Sequence, residues 1–160
     1  MTVLSARSIR EKVVECDMIF PFHPCRMLDG PTNLSFGLGP ASYDVRVEFD
    51  GSGSIPEVVI APGGFRLAAT IERFQIPLDI LMVAHDKSTW ARRGLTVQNT
   101  VADPGWNGHL TLELTNHSSD RIILSRGTPI AQVVFHQLDR RTSGYSGKYQ
   151  DQQRGPVEPR

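Results

Sequence analysis

The chain predicts a mainly β domain, an antiparallel sandwich or barrel of jelly-roll character with one short helix at its N-terminus. Three observations lead there: apolar and polar residues alternate over many short runs, turn residues punctuate those runs, and helical periodicity occurs once, near the start. A length of 160 residues suffices for one core and is too short for two.

The elements follow in order. Ser5 can cap a helix over residues 6–16, where Ile9, Val13 and Cys16 recur at helical spacing among charged residues. Residues 21–40 are rich in Pro and Gly and predict a loop. Tyr43, Val45, Val47 and Phe49 alternate with polar residues, which puts them on one face of a strand. Further strands are predicted over 57–60, 65–72, 80–83, 95–99, 109–116, 121–124 and 130–138. Turns at Pro62-Gly63-Gly64, Pro104-Gly105 and Ser125-Arg126-Gly127 separate some of them. Residues 1–138 thus form the β domain. Residues 139–160 are too polar to bury enough surface to order themselves, so a flexible tail is expected, free or folded over a neighbour or a ligand.

Composition narrows the partners. Lys plus Arg and Asp plus Glu number 17 each, so the net charge is zero and no basic surface favours nucleic acid. No apolar run approaches the roughly 18 residues of a membrane span, and the N-terminus has no signal-peptide pattern, so the expectation is a soluble cytoplasmic protein without a membrane partner. Cys16 and Cys25 lie nine apart and predict free thiols in a reducing compartment.

Most residues capable of chemistry lie between His85 and Asn116. Asp86 is suited to cap one helical turn, with Ser88 and Thr89 in it, Trp90, Ala91 and Arg92 continuing it, and Gly94 ending it in the left-handed region. Lys87, Ser88 and Thr89 would add a charge and two hydroxyls to the N–H groups there, an anion-binding arrangement, and Ser88 and Arg92 share a face. The same residues also describe a solvated, capped turn between two strands. In the run from Leu110 to Thr115 the leucines take one face and Thr111, Glu113 and Thr115 the other. On a lone sheet Glu113 is an ordinary exposed carboxylate; lining a cleft, it would be tuned by desolvation toward acid–base work. Taken singly, Asp103 is explained by Asp-Pro-Gly turn chemistry, Trp106 by core or interface packing, Arg92 by a surface helix, and Lys148 and Gln152 by a solvated tail. Zinc-dependent deamination requires His-x-Glu and Pro-Cys-x-x-Cys ligands, and the sequence contains neither.

Several motifs occur in a shared order: Leu4-Ser5 with the first helix, Pro40 to Arg46, Pro62-Gly63 with Phe65 to Thr70, Lys87 to Leu95, Asp103 to Gly108, Thr111-Leu112-Glu113, Gly127 to Gln132, and Gly147 to Gln150 with Gln152. In this order the chain resembles the dCTP deaminase family of the trimeric dUTPase superfamily. The resemblance implies a mainly β, distorted jelly-roll/β-barrel of the dUTPase-like type with a short N-terminal helix. It implies homotrimers with inter-subunit active sites and Mg2+ bound through the nucleotide triphosphate. Glu113 matches the family's general acid/base, which activates water for attack on C4 of cytosine. Lys87, Ser88 and Thr89 match its triphosphate-binding residues, and Ser88 and Arg92 also help position the glutamate and water. Asp103 falls where the family contacts deoxyribose, and Trp106 where a residue packs by the sugar. Tyr145, Lys148 and Gln152 match the tail that closes over the phosphates. Asn99 lies in the hairpin whose backbone reads the pyrimidine edge.

The chain departs from the family's pattern in three places. Lys87 stands where the family has arginine, keeping the charge and losing the bidentate fork. Thr89 replaces a serine and keeps a hydroxyl. Residues 98–102 are about two shorter than the family's stretch, which preserves strand alternation and alters the hairpin tip that bears on base identity. Three readings stand: a dCTP deaminase giving dUTP, with or without hydrolysis onward to dUMP; a dUTPase-like pyrophosphatase in which Asp103 orients water at the α-phosphate; and a catalytically silent nucleotide-binding protein on the same scaffold.

Overall fold

The computed structural model describes residues 2–98 and 100–159. Helix α1 (Ala6–Cys16) forms where the periodicity predicts it: Ser5 Oγ accepts from the Ser8 N–H, and Asp17, at φ 52, donates its N–H to the Val13 carbonyl. Ile9 is completely buried while Arg7 and Glu11 pair on the outer face.

The strands are β1 (Thr2–Val3), β2 (Ile19–Phe20), β3 (Arg26–Leu28), β4 (Ser35–Leu38), β5 (Tyr43–Glu48), β6 (Glu57–Ile60), β7 (Phe65–Gln75), β8 (Ile80–Asp86), β9 (Leu95–Val97), β10 (Val101–Ala102), β11 (Asn107–Asn116), β12 (Ile122–Ser125) and β13 (Pro129–Gln137), with a single-turn helix α2 (Ser88–Ala91) between β8 and β9. Every strand pairing is antiparallel. The main path runs β10-β8-β13-β5-β7-β11-β9, and β6 pairs with β12 apart from it. Strand β5 joins the halves: Tyr43 to Arg46 pair with β13, and Val47 and Glu48 pair with β7, so the sheet curls around the core. Tyr43, Phe74, Phe135, Leu112 and Leu114 fill that core, each side chain contributing roughly 1.5–3 kcal/mol by leaving water.

The structure corrects the predicted loop at residues 21–40. Within it β3 and β4 form a hairpin, closed where Asp29 Oδ2 accepts from the Thr32 N–H and the Asn33 N–H reaches the Asp29 carbonyl; β4 then pairs with β5. The hairpin breaks the usual inside–outside rule because Met27 and Leu28 face outward, and its Pro and Gly flanks hide two short strands.

Both faces of β5 are covered. Tyr43, Val45 and Val47 enter the core, while the other face carries Asp44, Arg46 and Glu48, each in an ion pair: with Lys87 at 2.5 Å, with Glu72 at 2.8 Å, and with Arg126 at 2.8 Å and Arg154 at 3.1 Å. Burial raises the Glu48 carboxyl, but Arg126, the Phe49 N–H and Arg154 outweigh it and hold the group below its ordinary value.

The tail is not free. It packs on its own chain: the His109 N–H donates to the Gln152 carbonyl at 3.0 Å, Gln150 Oε1 accepts from the Asn107 N–H, and the Val157 N–H donates to Thr111 Oγ1. Its polarity, which argued against order, supplies the hydrogen bonds that hold it. Gly108, at φ +143, makes room: a Cβ there would lie 2.6 Å from the Gln152 nitrogen.

Candidate functional site

On β11 the leucine and polar faces separate as the alternation requires. Leu110, Leu112 and Leu114 are buried, and Glu113 projects from the opposite face into a cavity of roughly 360 Å³. Asp103, Trp106, Thr111, Tyr145 and Gln152 share its wall with Glu113. Burial raises the Glu113 carboxyl above its ordinary value, the direction a proton-transferring carboxyl needs. Trp106 is held by its indole N–H, which donates to the Tyr149 carbonyl at 2.7 Å, so the tail fixes the ring's orientation. The Trp106 N–H closes the Asp103 turn on the Asp103 carbonyl, leaving the Asp103 side chain exposed at the cavity wall. Tyr145 donates its backbone N–H to the Pro104 carbonyl, and its hydroxyl accepts from the Tyr149 N–H. Gln152 Oε1 accepts from the Thr111 hydroxyl at 3.3 Å.

The expected hairpin is not formed, since β9 pairs with β11 and β10 with β8, but Thr100 and Val101, from the short connection between these strands, also line this cavity. Gln98, at the start of this connection, donates its N–H to the Glu113 carbonyl at 2.9 Å. Asn99 lies outside the described residues. Lys148 is exposed, its ammonium 5.0 Å from the Tyr149 ring centroid, and is not on the cavity wall.

Lys87, Ser88 and Thr89 line a second cavity, of roughly 500 Å³, together with Asp44, Asp86, Gln132 and the β3–β4 hairpin. Helix α2 forms over Ser88–Ala91 as the sequence suggests, and Gly94, at φ +82, ends the turn. Asp86 does not cap it. Lys87 occupies the cap position without a side-chain hydrogen bond, and Asp86 Oδ1 accepts instead from the Val97 N–H at 2.6 Å, tying β8 to β9. Lys87 is only 8 % exposed, and its ammonium donates to Asp44 Oδ2 at 2.5 Å and Ser35 Oγ at 3.3 Å. Two of its three donors are therefore engaged within the chain.

Glu113 and the residues Lys87, Ser88 and Thr89, expected in one site, thus line separate cavities of a single chain. Ser88 is exposed in the second, Arg92 is exposed and lines neither, and Glu113 belongs to the first. Asp44, Gln132 and Tyr149 lie within motifs that carry the resemblance, which gives them no site role, yet each lines one of the two cavities. Asp44 and Gln132 sit on the polar phase of their strands, within the motifs Pro40 to Arg46 and Gly127 to Gln132.

A family described as dCTP deaminase-like matches residues 52–138. A dCTP deaminase of Erythrobacter litoralis is 34% identical over 186 residues, covering all of both chains, and one of Psychrobacter cryohalolentis is 36% identical over 191 residues, again covering both completely. Among solved structures, the 2'-deoxycytidine 5'-triphosphate deaminase from Agrobacterium tumefaciens superposes with TM-score 0.62 at 19% identity, over 83% of this chain and 48% of that one. The EIAV dUTPase superposes with TM-score 0.53 at 21% identity, over 68% of this chain and 84% of its own. These structures share the curled, dUTPase-like β fold.

Proposed function

The chain belongs to the dCTP deaminase family, a family of enzymes, and we propose that it hydrolyses dCTP to dUTP and ammonia. The observation that carries this is a half-buried Glu113, its carboxyl raised by burial, on the wall of a cavity shared with Asp103 and Trp106.

Water adds its oxygen to C4 of the cytosine while Glu113 takes the proton, then passes it to the leaving nitrogen. A C–O bond replaces the C4–N bond, one water is consumed and one ammonia departs. The ring lies against Thr100 and Val101, the deoxyribose between Asp103 and Trp106, and the triphosphate, carrying Mg2+ as part of the substrate, against Lys87, Ser88 and Thr89. Since Glu113 and Ser88 line separate cavities in one chain, in this reading a homotrimer supplies Ser88 and the exposed Arg92 to Glu113 across a subunit boundary. There they position the carboxylate and water. The tail closes the site through Tyr145, Lys148 and Gln152. No zinc enters, since the sequence has neither ligand motif of the zinc deaminases.

A second reading takes the exposed Asp103 side chain as the group that orients water at the α-phosphate, converting dUTP and water to dUMP and pyrophosphate; its exposure at the cavity wall supports it. Incubating the protein with dCTP or dUTP and magnesium, with ammonia and pyrophosphate measured separately, tests both. Ammonia from dCTP supports the deaminase; pyrophosphate from dUTP without ammonia from dCTP replaces it with the second reading. Neither product would leave a nucleotide-binding protein without this chemistry.

A further inference from the structure

We infer that Arg26, on strand β3, is a phosphate-binding residue that makes up for the lysine at position 87. The inference rests on the triphosphate occupying the cavity of Ser88 and Thr89. Lys87 is buried there and spends two of its three donors on Asp44 and Ser35, so it offers a triphosphate at most one hydrogen bond.

The charges on the cavity wall sharpen the point. Asp44 matches Lys87, and Asp86 remains as an additional carboxylate. Without another cation the cavity would be net negative and would repel a polyphosphate. Arg26 is the further cation lining it, reaching the wall because β3 pairs with β4 and β4 with β5, the strand that carries Asp44. Its guanidinium has no ion-pair or hydrogen-bond partner among the described residues and is exposed, and so is available to a ligand. It also restores what Lys87 cannot provide, a planar fork able to grip two phosphate oxygens at once.

The test compares wild type with Arg26→Ala and Arg26→Lys. Binding of inorganic tripolyphosphate is measured by calorimetry, and KM and kcat for dCTP by ammonia release. Arg26→Ala is expected to weaken tripolyphosphate binding and raise KM about tenfold, with kcat within twofold, and Arg26→Lys to recover part of the loss. As Arg26 is exposed, both variants should melt as wild type does, which excludes misfolding as the cause. Unchanged tripolyphosphate affinity in Arg26→Ala, or no tripolyphosphate binding by wild type, overturns the role of Arg26. Wild type that binds tripolyphosphate but releases no ammonia overturns the deaminase reading instead, and the calorimetry still decides on Arg26.

Discussion

The two cavities are built on opposite principles. The one around Glu113 is framed by strand β11, the Asp103 turn and the tail, with Phe65, Leu67, Trp106 and Leu110 among the apolar residues of its wall, and burial there raises the Glu113 carboxyl. The one around Ser88 is framed by a hairpin and a single helical turn, and an ion pair between Lys87 and Asp44 lies in its wall. Proton transfer needs a carboxyl of altered basicity, which apolar walls provide. Phosphate binding needs fixed positive charge and exposed donors, which loops and edge strands provide.

The sharpest way to break this contrast is to neutralise the first cavity. Glu113→Gln should lower ammonia release roughly a hundred- to ten-thousand-fold while nucleotide affinity, measured by calorimetry, stays within about twofold. Retained deamination would end the assignment.

In the second cavity the expected damage is structural. Asp44→Ala leaves the Lys87 ammonium buried without its counter-charge, at a cost of about 3 kcal/mol read by denaturant unfolding. A loss well under 1 kcal/mol would show that the pair is not what shapes the cavity.

Removing the tail after residue 138 tests the border of the first cavity. It takes away the carbonyl that holds the Trp106 indole, so tryptophan fluorescence should shift to the red and KM for dCTP should rise about tenfold. An unshifted spectrum would mean that the indole does not depend on the tail.

The smallest effect concerns pH. As a general base Glu113 acts when ionised, so kcat/KM should rise with pH around a midpoint above the ordinary value of 4.5. The folded state also holds this proton more tightly than the unfolded chain does. Stability therefore falls as pH climbs from the unfolded value through the raised folded one, and remains lower above it. Glu113→Gln should then melt at a higher temperature than wild type at pH 7 and at the same temperature at pH 3.

Much of the fold was legible because periodicity survives wherever one face of an element is buried. The α1 boundaries, the strand carrying Tyr43 and the leucine face of β11 are all where alternation places them. The β3–β4 hairpin was hidden because Met27 and Leu28 face outward and short strands carry little pattern. Asp86 has the chemistry of a helix cap, yet a backbone N–H on β9 claims its carboxylate, a contact no local window reveals. Composition counts the tail's few apolar residues and misses the hydrogen bonds that Gln150 and Gln152 make with β11. Of the candidate site, Glu113, Asp103, Trp106, Tyr145 and Gln152 line one cavity and Lys87, Ser88 and Thr89 the other, and the pairing of Lys87 with Asp44, distant in sequence, has no local signal.

Gly108 has a further consequence. Main chain lies directly against main chain there, so the tail cannot lift by rotating a side chain and must peel away as a segment. Its departure would be a small melting event with a steep dependence on temperature. One added methyl group at position 108 would tilt that latch toward open, making the seal over the cavity adjustable at a site remote from the reacting atoms.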